Sequence, residues 1–419
     1  MFLIHVPTKA SPLMRRNELV LAVYLPTALL ALGQGLLLAT LPYFATELGV
    51  SLTMVSIIAS AAAMGTLVTD VPAGAVLYRI GLRRSMLIGS ALVVIGTASL
   101  AIPMSPWAVV ALRVLAGIGT AMWGLSRHAF ITQHADIKSR GKSIAMFGGI
   151  NRIGMFAGPA IGGIIATVAS TAASFLLAGF MGLLAFIAAV VFIPDDSAAV
   201  HMRRGTGRKR WEVVRKTLHT HSGDMTAAAV AQLFAQMIRQ GRQLLIPLVG
   251  AVTLGLNAAE IGVIMTASAV LDMSMFIPAG HLMDRYGRKF ASVPSFAIMA
   301  IGIGMVPFAQ GFEGLLIAGL VIGLGNGIGS GTMMTLGADL APPEATGEFL
   351  GVWRLIGDAG MVAGPLLVGL IATWLGLTGS ALVLMFAGLL ASAILFFLVK
   401  ETRQSTVVHS AGTPEASGD

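Results

Sequence analysis

Apolar residues run along this chain in long blocks, without the period of 3.6 or of 2 that marks a half-buried element. Twelve blocks emerge, at 19–46, 52–77, 85–103, 107–129, 142–168, 172–193, 225–253, 258–282, 290–309, 313–337, 347–374 and 378–399. Each is about the 20 residues that a helix needs to cross a bilayer. A span that meets lipid on several sides is apolar all round, so length and helix breakers set these ends. Strands of a membrane barrel would be about ten residues long and would alternate, and that pattern is absent. The expected fold is an all-α membrane protein with twelve transmembrane helices.

Composition agrees. Of 419 residues, 56% are hydrophobic and 11% charged, and the mean hydropathy is +0.85. A soluble domain carries about 25% charged residues, which it needs to cover its surface. The 51 glycines suit close helix packing in lipid. The absence of cysteine excludes disulfides, thiolate metal sites and cysteine nucleophiles. A pI near 10.2 could suggest a nucleic-acid partner, but the placement of the basic residues has a simpler explanation. Lys9, Arg15 and Arg16 precede the first span. Arg79, Arg83 and Arg84, then Lys138, Arg140 and Lys142, occupy the next alternate loops. Arg203, Arg204, Arg208, Lys209, Arg210, Arg215 and Lys216 fill the long central loop. Arg285, Arg288 and Lys289 follow, and Lys400 and Arg403 close the series. Twenty-one of the 27 basic residues thus fall in alternate connections, and the intervening loops have none. Basic loops stay cytoplasmic, so both termini are expected in the cytoplasm of a plasma or bacterial inner membrane. The first span reads as an uncleaved anchor rather than a signal peptide, with Met14 as an alternative start. The segment from Ser405 is polar, small and expected to be disordered.

The halves repeat at a constant shift of 206 residues, as expected for tandem bundles. Pro72, Gly74, Arg79 and Gly81 fall on Pro278, Gly280, Arg285 and Gly287. Gly117 and Gly119 fall on Gly323 and Gly325. Gly154, Gly158 and Pro159 fall on Gly360, Gly364 and Pro365, and Gln34-Gly35 falls on Gln240-Gly241. The expected organisation is a cytoplasmic segment at 1–18, a six-helix bundle at 19–193, a basic linker at 194–224, a second bundle at 225–399 and a cytoplasmic tail at 400–419.

With these motifs in place the chain resembles the major facilitator superfamily over nearly its whole length. The most specific piece is GHLMDRYGRK, from Gly280 through Asp284, Arg285, Gly287 and Arg288 to Lys289. It is similar to the family's G-x-L-x-D-R-x-G-R-R/K loop. The first copy, with Gly74, Arg79, Gly81 and Arg83, departs from it, because Tyr78 stands in place of the acid and Leu82 in place of an Arg. Arg113-x-x-x-Gly117-x-Gly119 is similar to the family's R-x-x-x-G-x-G. Gly154-x-x-x-Gly158-Pro159-x-x-Gly162 is similar to a G-x-x-x-G-P-x-x-G motif linked to antiporters, and its second copy has Val368 in place of the last Gly. The resemblance implies a proton- or gradient-driven carrier that works by alternating access, as a monomer, with a small-molecule substrate and protons as the coupling ion. The second-half loop reads either as a latch that closes the cytoplasmic gate through Asp284 or as a topology anchor. Proline in a span bends it, and the glycines before Pro159 and Pro365 let a neighbouring backbone approach. These motifs read either as moving bends or as packing alone.

Six basic residues remain inside spans: Arg113, Arg127, Arg152, Arg239, Arg242 and Arg354. The acids well inside spans are Asp70, Asp272 and Asp358. A charge at mid-bilayer costs about 2.5–3.5 kcal/mol even on the lenient scale, so these should face the interior and be paired or wet. In the family fold spans 2 and 11 touch, as do spans 5 and 8. Depths of roughly 12–18 Å, at about 1.5 Å per residue, then allow Asp70–Arg354 and Asp272–Arg152 pairs across the halves. Asp358, one turn from Arg354, can share it. The family also implies that spans 1, 4, 7 and 10 line a central cavity, which makes Gln34, Arg113, Gln236, Arg239, Gln240, Arg242 and Gln243 the candidate substrate contacts. Asp272 is the first candidate for proton coupling, with a permanent ion pair as the alternative. Arg127 can snorkel, and His128 and His134 read as wet histidines near a span end. No Walker loop, HExxH or G-x-S-x-G context occurs, so an enzyme is not expected, nor a cofactor, a metal or a nucleic-acid partner. The expected function is proton-coupled efflux of an amphipathic solute. The alternatives are transport of an organic or lipid-like anion through the cavity arginines, and a non-transporting receptor.

Overall fold

The computed structural model describes residues 20–102, 104–134, 140–194 and 222–402. The expected segment at 1–18, most of the basic linker and the tail beyond 402 lie outside the described residues, as do the surroundings of Gly74 and the side chain of Tyr78. The described chain is helical throughout. Span 1 is Val20–Glu47, span 2 Leu52–Ile80, span 3 Leu82–Ala101, span 4 Pro106–His134, span 5 Arg140–Val168 and span 6 Thr171–Phe192. Span 7 is Ser222–Leu248 with a π turn at Val249–Thr253. Span 8 is Ala258–Ser274 followed by Phe276–Tyr286, and span 9 is Arg288–Phe308. Span 10 is broken into Gly311–Ile328 and Thr332–Leu340. Thr346–Phe397 is one helical run, divided at Gly376 (φ 67°) into spans 11 and 12.

Glycine sets the reversals that the loop motif requires. Gly81 (φ 82°) and Gly287 (φ 108°) each end one span and open the next, in a backbone region that residues with a Cβ avoid. The two positions are equivalent in the repeat.

The repeat holds in packing as well as in sequence. Span 1 packs on span 5 and span 7 on span 11; spans 2 and 4 pair as spans 8 and 10 do; spans 3 and 4 pair as spans 9 and 10 do. A Cβ built on Gly158 would strike Gly35, and one on Gly364 would strike Met237 beside Gly241. Gly117 abuts Ala62 as Gly323 abuts Ser268, and Gly119 abuts Gly89 as Gly325 abuts Ser295. The motif glycines therefore work as helix-contact points inside each half.

The halves meet along two seams, spans 2 with 11 and spans 5 with 8. Both seams are fastened at the end opposite the basic loops, here the far end. On the first, the Thr53 hydroxyl lies 2.7 Å from that of Thr373, and Gly369 lies against Ser56 and Leu52. On the second, Ala259 N–H donates to Thr167 Oγ1 at 3.0 Å, and Gly163 lies against Ala258. Deeper in that seam, the Pro159 bend is filled from the other half. Thr266 Oγ1 accepts from Ala160 N–H at 3.0 Å and donates to the Phe156 carbonyl at 2.9 Å.

Candidate functional site

Between the halves lies a cavity of about 310 Å³, at the small end of the range for ligand pockets. Span 7 contributes Gln236, Arg239, Gln240, Arg242 and Gln243. Span 5 contributes Arg152, two turns before Pro159, span 8 contributes Ser268 and Asp272, and the break in span 10 brings Asn326, Ser330 and Gly331 to the wall. Leu38, Met155, Phe156, Ile246 and Met265 make the apolar part.

Three arginines thus face one carboxylate. Asp272 Oδ2 accepts from Asn326 Nδ2 at 2.6 Å and lies 4.0 Å from the Arg242 guanidinium, with both side chains of the ion pair only 12% and 10% exposed. Arg239 donates to the Gly329 carbonyl at 2.8 Å, at the end of the first half of span 10, and lies over the Phe296 ring. Arg152 donates to Ser330 Oγ at 2.9 Å and lies over Phe276. Gln240 donates to Gln243 at 3.2 Å. Arg239 Nε, Arg242 Nε, Ser268 Oγ and Asn326 Oδ1 are buried without a hydrogen-bond partner among the described residues. The cavity therefore presents a surplus of positive charge and unused donors beside an apolar wall.

The pairing differs from expectation at one point. Asp272 pairs with Arg242 of its own half, not with Arg152, which reaches Ser330 and Phe276 instead. Axial depth allowed Arg152, but depth does not say which way a side chain points around its helix. Gln34 and Arg113 do not line the cavity. Gln34 donates to the Thr120 hydroxyl of span 4 at 3.3 Å, and Arg113 Nε is buried without a hydrogen-bond partner among the described residues. Sequence reasoning missed Ser268, Asn326 and Ser330. Their signal is weak, because polar residues of this size are common in spans and the glycines that break span 10 sit among many others.

The Asp70–Arg354–Asp358 contacts that the family resemblance and the matching depths allowed are present. Arg354 lies 3.3 Å from Asp70 Oδ2 across the span 2–span 11 seam and 3.6 Å from Asp358 Oδ2 on its own helix. The second-half loop motif makes its own set of contacts. The acid that meets Arg288 is Asp339 of span 10, at 2.9 Å, not Asp284. Glu401, just past span 12, accepts from the N–H groups of Arg288 and Lys289 at 2.8 and 3.0 Å. Carboxylate at a helix N-terminus satisfies otherwise unpaired donors. Lys289 donates to the Phe396 carbonyl at 2.7 Å, and Arg83 donates to that of Val190 at 3.0 Å. These contacts are one repeat apart. Each loop is thus tied to the last span of its own half, although the first copy lacks the acid. The glycines of the Gly-Pro motifs lie against the backbones of spans 1 and 7, and Thr266 bridges the first copy to span 8.

The family model described as Major Facilitator Superfamily matches residues 23–238 and 228–416. A hexuronate transporter of Bacillus subtilis is 29% identical over 155 residues, 37% of this chain and 36% of that protein. The quinolone resistance protein NorA of Staphylococcus aureus is 26% identical over 179 residues, 43% of this chain and 46% of NorA. These two matches span less than half of either relative's length. The crystal structure of a D-xylose–proton symporter aligns over 92% of this chain and 98% of that one with a TM-score of 0.75 at 16% identity, a likeness of fold.

Proposed function

Because the chain belongs to the major facilitator superfamily, and is therefore a multi-pass membrane transporter of small molecules and not an enzyme, we propose that its central cavity carries a small solute with an anionic group by alternating access. The observation behind this reading is the set of three arginines facing one carboxylate in a cavity of about 310 Å³, with two guanidinium Nε groups unused. Guanidinium groups match carboxylate and phosphate geometry with two parallel bonds, and a desolvated surplus of positive charge rejects cations. In this reading Arg152, Arg239 and Arg242 hold the anionic group and Gln236, Gln240 and Gln243 its polar neighbours. The volume suits one sugar-sized molecule. The far seams are fastened, so the cavity exchanges with the basic end, which the loop charges assign to the cytoplasm. Two six-span halves joined by the 194–224 linker rock about the cavity as a monomer in the plasma or bacterial inner membrane.

A second reading is proton-coupled efflux of amphipathic compounds. It draws on the likeness to NorA, whose name records quinolone resistance, and on the apolar wall of Leu38, Met155, Phe156, Ile246 and Met265. Counterflow in proteoliposomes separates the two. Radiolabelled glucuronate, neutral xylose and tetraphenylphosphonium are offered in parallel, with and without a pH gradient. Accumulation of the anion alone supports the first reading; accumulation of the cation alone, driven by the gradient, replaces it with the second.

A further inference from the structure

Away from the cavity, the span 2–span 11 seam holds a charged group with no part in solute binding. Asp70 comes from the first half; Arg354 and Asp358 come from the second. One guanidinium serves both carboxyl groups, through its terminal nitrogen to Asp70 at 3.3 Å and through Nε to Asp358 at 3.6 Å. Both Oδ2 atoms lie on the Nε–Nη2 edge of that one guanidinium, which brings the two carboxyl groups side by side. Two carboxyl groups bond to each other only when one of them carries a hydrogen. The Oδ2 atoms of both are buried and otherwise accept no hydrogen bond among the described residues.

Exposure sharpens the point. The carboxyl side chains are 17% and 16% exposed, whereas Arg354 is 55% exposed. The cation is thus the most exposed member of the group, and the two acids are largely covered. With both acids ionised, one partly screened guanidinium faces two desolvated negative charges inside a membrane span, where net charge is expensive. One proton leaves the group neutral. The charged neighbours are few: on span 4, Arg127 and His128 feel Arg354, and the charged groups acting on Asp358 among the described residues are Arg354 and Asp70. From span 7 the side chains packed against Gly357 are Gln232 and Gln236, neither of which titrates.

We propose that Asp70 and Asp358 share one exchangeable proton, which makes this seam a proton site of the transport cycle, separate from the solute cavity. The proposal rests on the transporter reading but not on the charge of the solute. The mechanism follows from the geometry. With the proton present, Asp70 and Asp358 bond across the seam and Arg354 neutralises the remaining charge. When the proton leaves to water at the exposed Arg354 face, two carboxylates are left opposed. Arg354 stays with Asp358 on its own helix, and Asp70 is released with span 2. Because the far end of the same seam is fastened by Thr53 and Thr373, the release opens the seam at the basic end.

The chain has no cysteine, so a spin-label pair at Ile80→Cys and Gly351→Cys reports that opening. A Cβ at Gly351 meets nothing within 4 Å. The distance distribution is measured by pulsed EPR in proteoliposomes from pH 5 to 9, without solute. The expected result is a shift toward longer distances as pH rises, abolished in Asp70→Asn and separately in Asp358→Asn, and displaced but retained in Asp358→Glu. Retention of the wild-type pH response in both folded Asn variants overturns the proposal, as does loss of the response in Asp272→Asn alone. Should one Asn variant fail to fold, the other and the Glu variant decide. Since no solute is present, failure of the anion reading leaves this result intact, and failure here leaves the counterflow result intact.

Discussion

Replacing Thr266 by Val keeps the shape of the side chain and removes only the hydroxyl that bridges the Pro159 bend. Two bonds are lost across the span 5–span 8 seam, from Ala160 N–H at 3.0 Å and to the Phe156 carbonyl at 2.9 Å. Interhelical hydrogen bonds in membrane proteins contribute about 0.6 kcal/mol each, and soluble-protein values run near 1 kcal/mol, so the pair is worth about 1–2 kcal/mol. In alternating access this seam separates at the far end in the opposite state, where the bridge is absent. The variant should therefore lose that energy from the far-closed state alone, changing the equilibrium about 5–30-fold toward far-open. Spin labels at Ile164→Cys and Val263→Cys, read by pulsed EPR, give the two populations directly. An unchanged far-open fraction in folded Thr266→Val protein would refute the reasoning, and so would an equal shift in both states, seen as lost thermal stability with no redistribution.

Other outcomes follow from the loop motif. Gly287→Ala should lower stability by about 1–3 kcal/mol, because φ is 108° there, whereas Gly280→Ala, with nothing within 4 Å of its Cβ, should be neutral in the same thermal-unfolding assay. Glu401→Ala, which frees two N–H groups at the start of span 9, should cost about 1–2 kcal/mol; Asp284→Asn should cost less, since Asp339 is the acid on Arg288. Gly158→Leu should yield no folded protein, because its Cβ already meets the Gly35 backbone.

The spans were legible because length and charge placement are one-dimensional properties that lipid enforces. The repeat was legible for the same reason, and it extends to contacts such as Arg83–Val190 and Lys289–Phe396. The Asp70–Arg354–Asp358 group was legible because the family resemblance put spans 2 and 11 side by side, and depth and the i,i+4 spacing then allowed the contacts. The partner of Asp272 was not, since depth places a residue along a helix but not around it. Depth allowed Arg152, whereas the residue beside Asp272 is Arg242 of its own half. The breaks in spans 8 and 10 were hidden for another reason. In a chain with 51 glycines a glycine that interrupts a helix looks like one that packs it, and Ser274–Met275 carries no breaker at all. Asp339 and Glu401 lie at span ends, where an acid usually signals only solvent.

The role of the cavity arginines is tested most directly by the dependence of transport on solute charge in Arg239→Gln. Removing a charge-assisted contact to an anionic group costs about 1.5–3 kcal/mol, roughly 13- to 150-fold in KM for glucuronate counterflow. Transport of any neutral analogue the wild type accepts should be nearly unchanged. A KM that moves for the anion and not for the neutral solute would place the anionic group on Arg239. An equal change for both, or transport of a cation that improves in the variant from an already substantial wild-type rate, would contradict it.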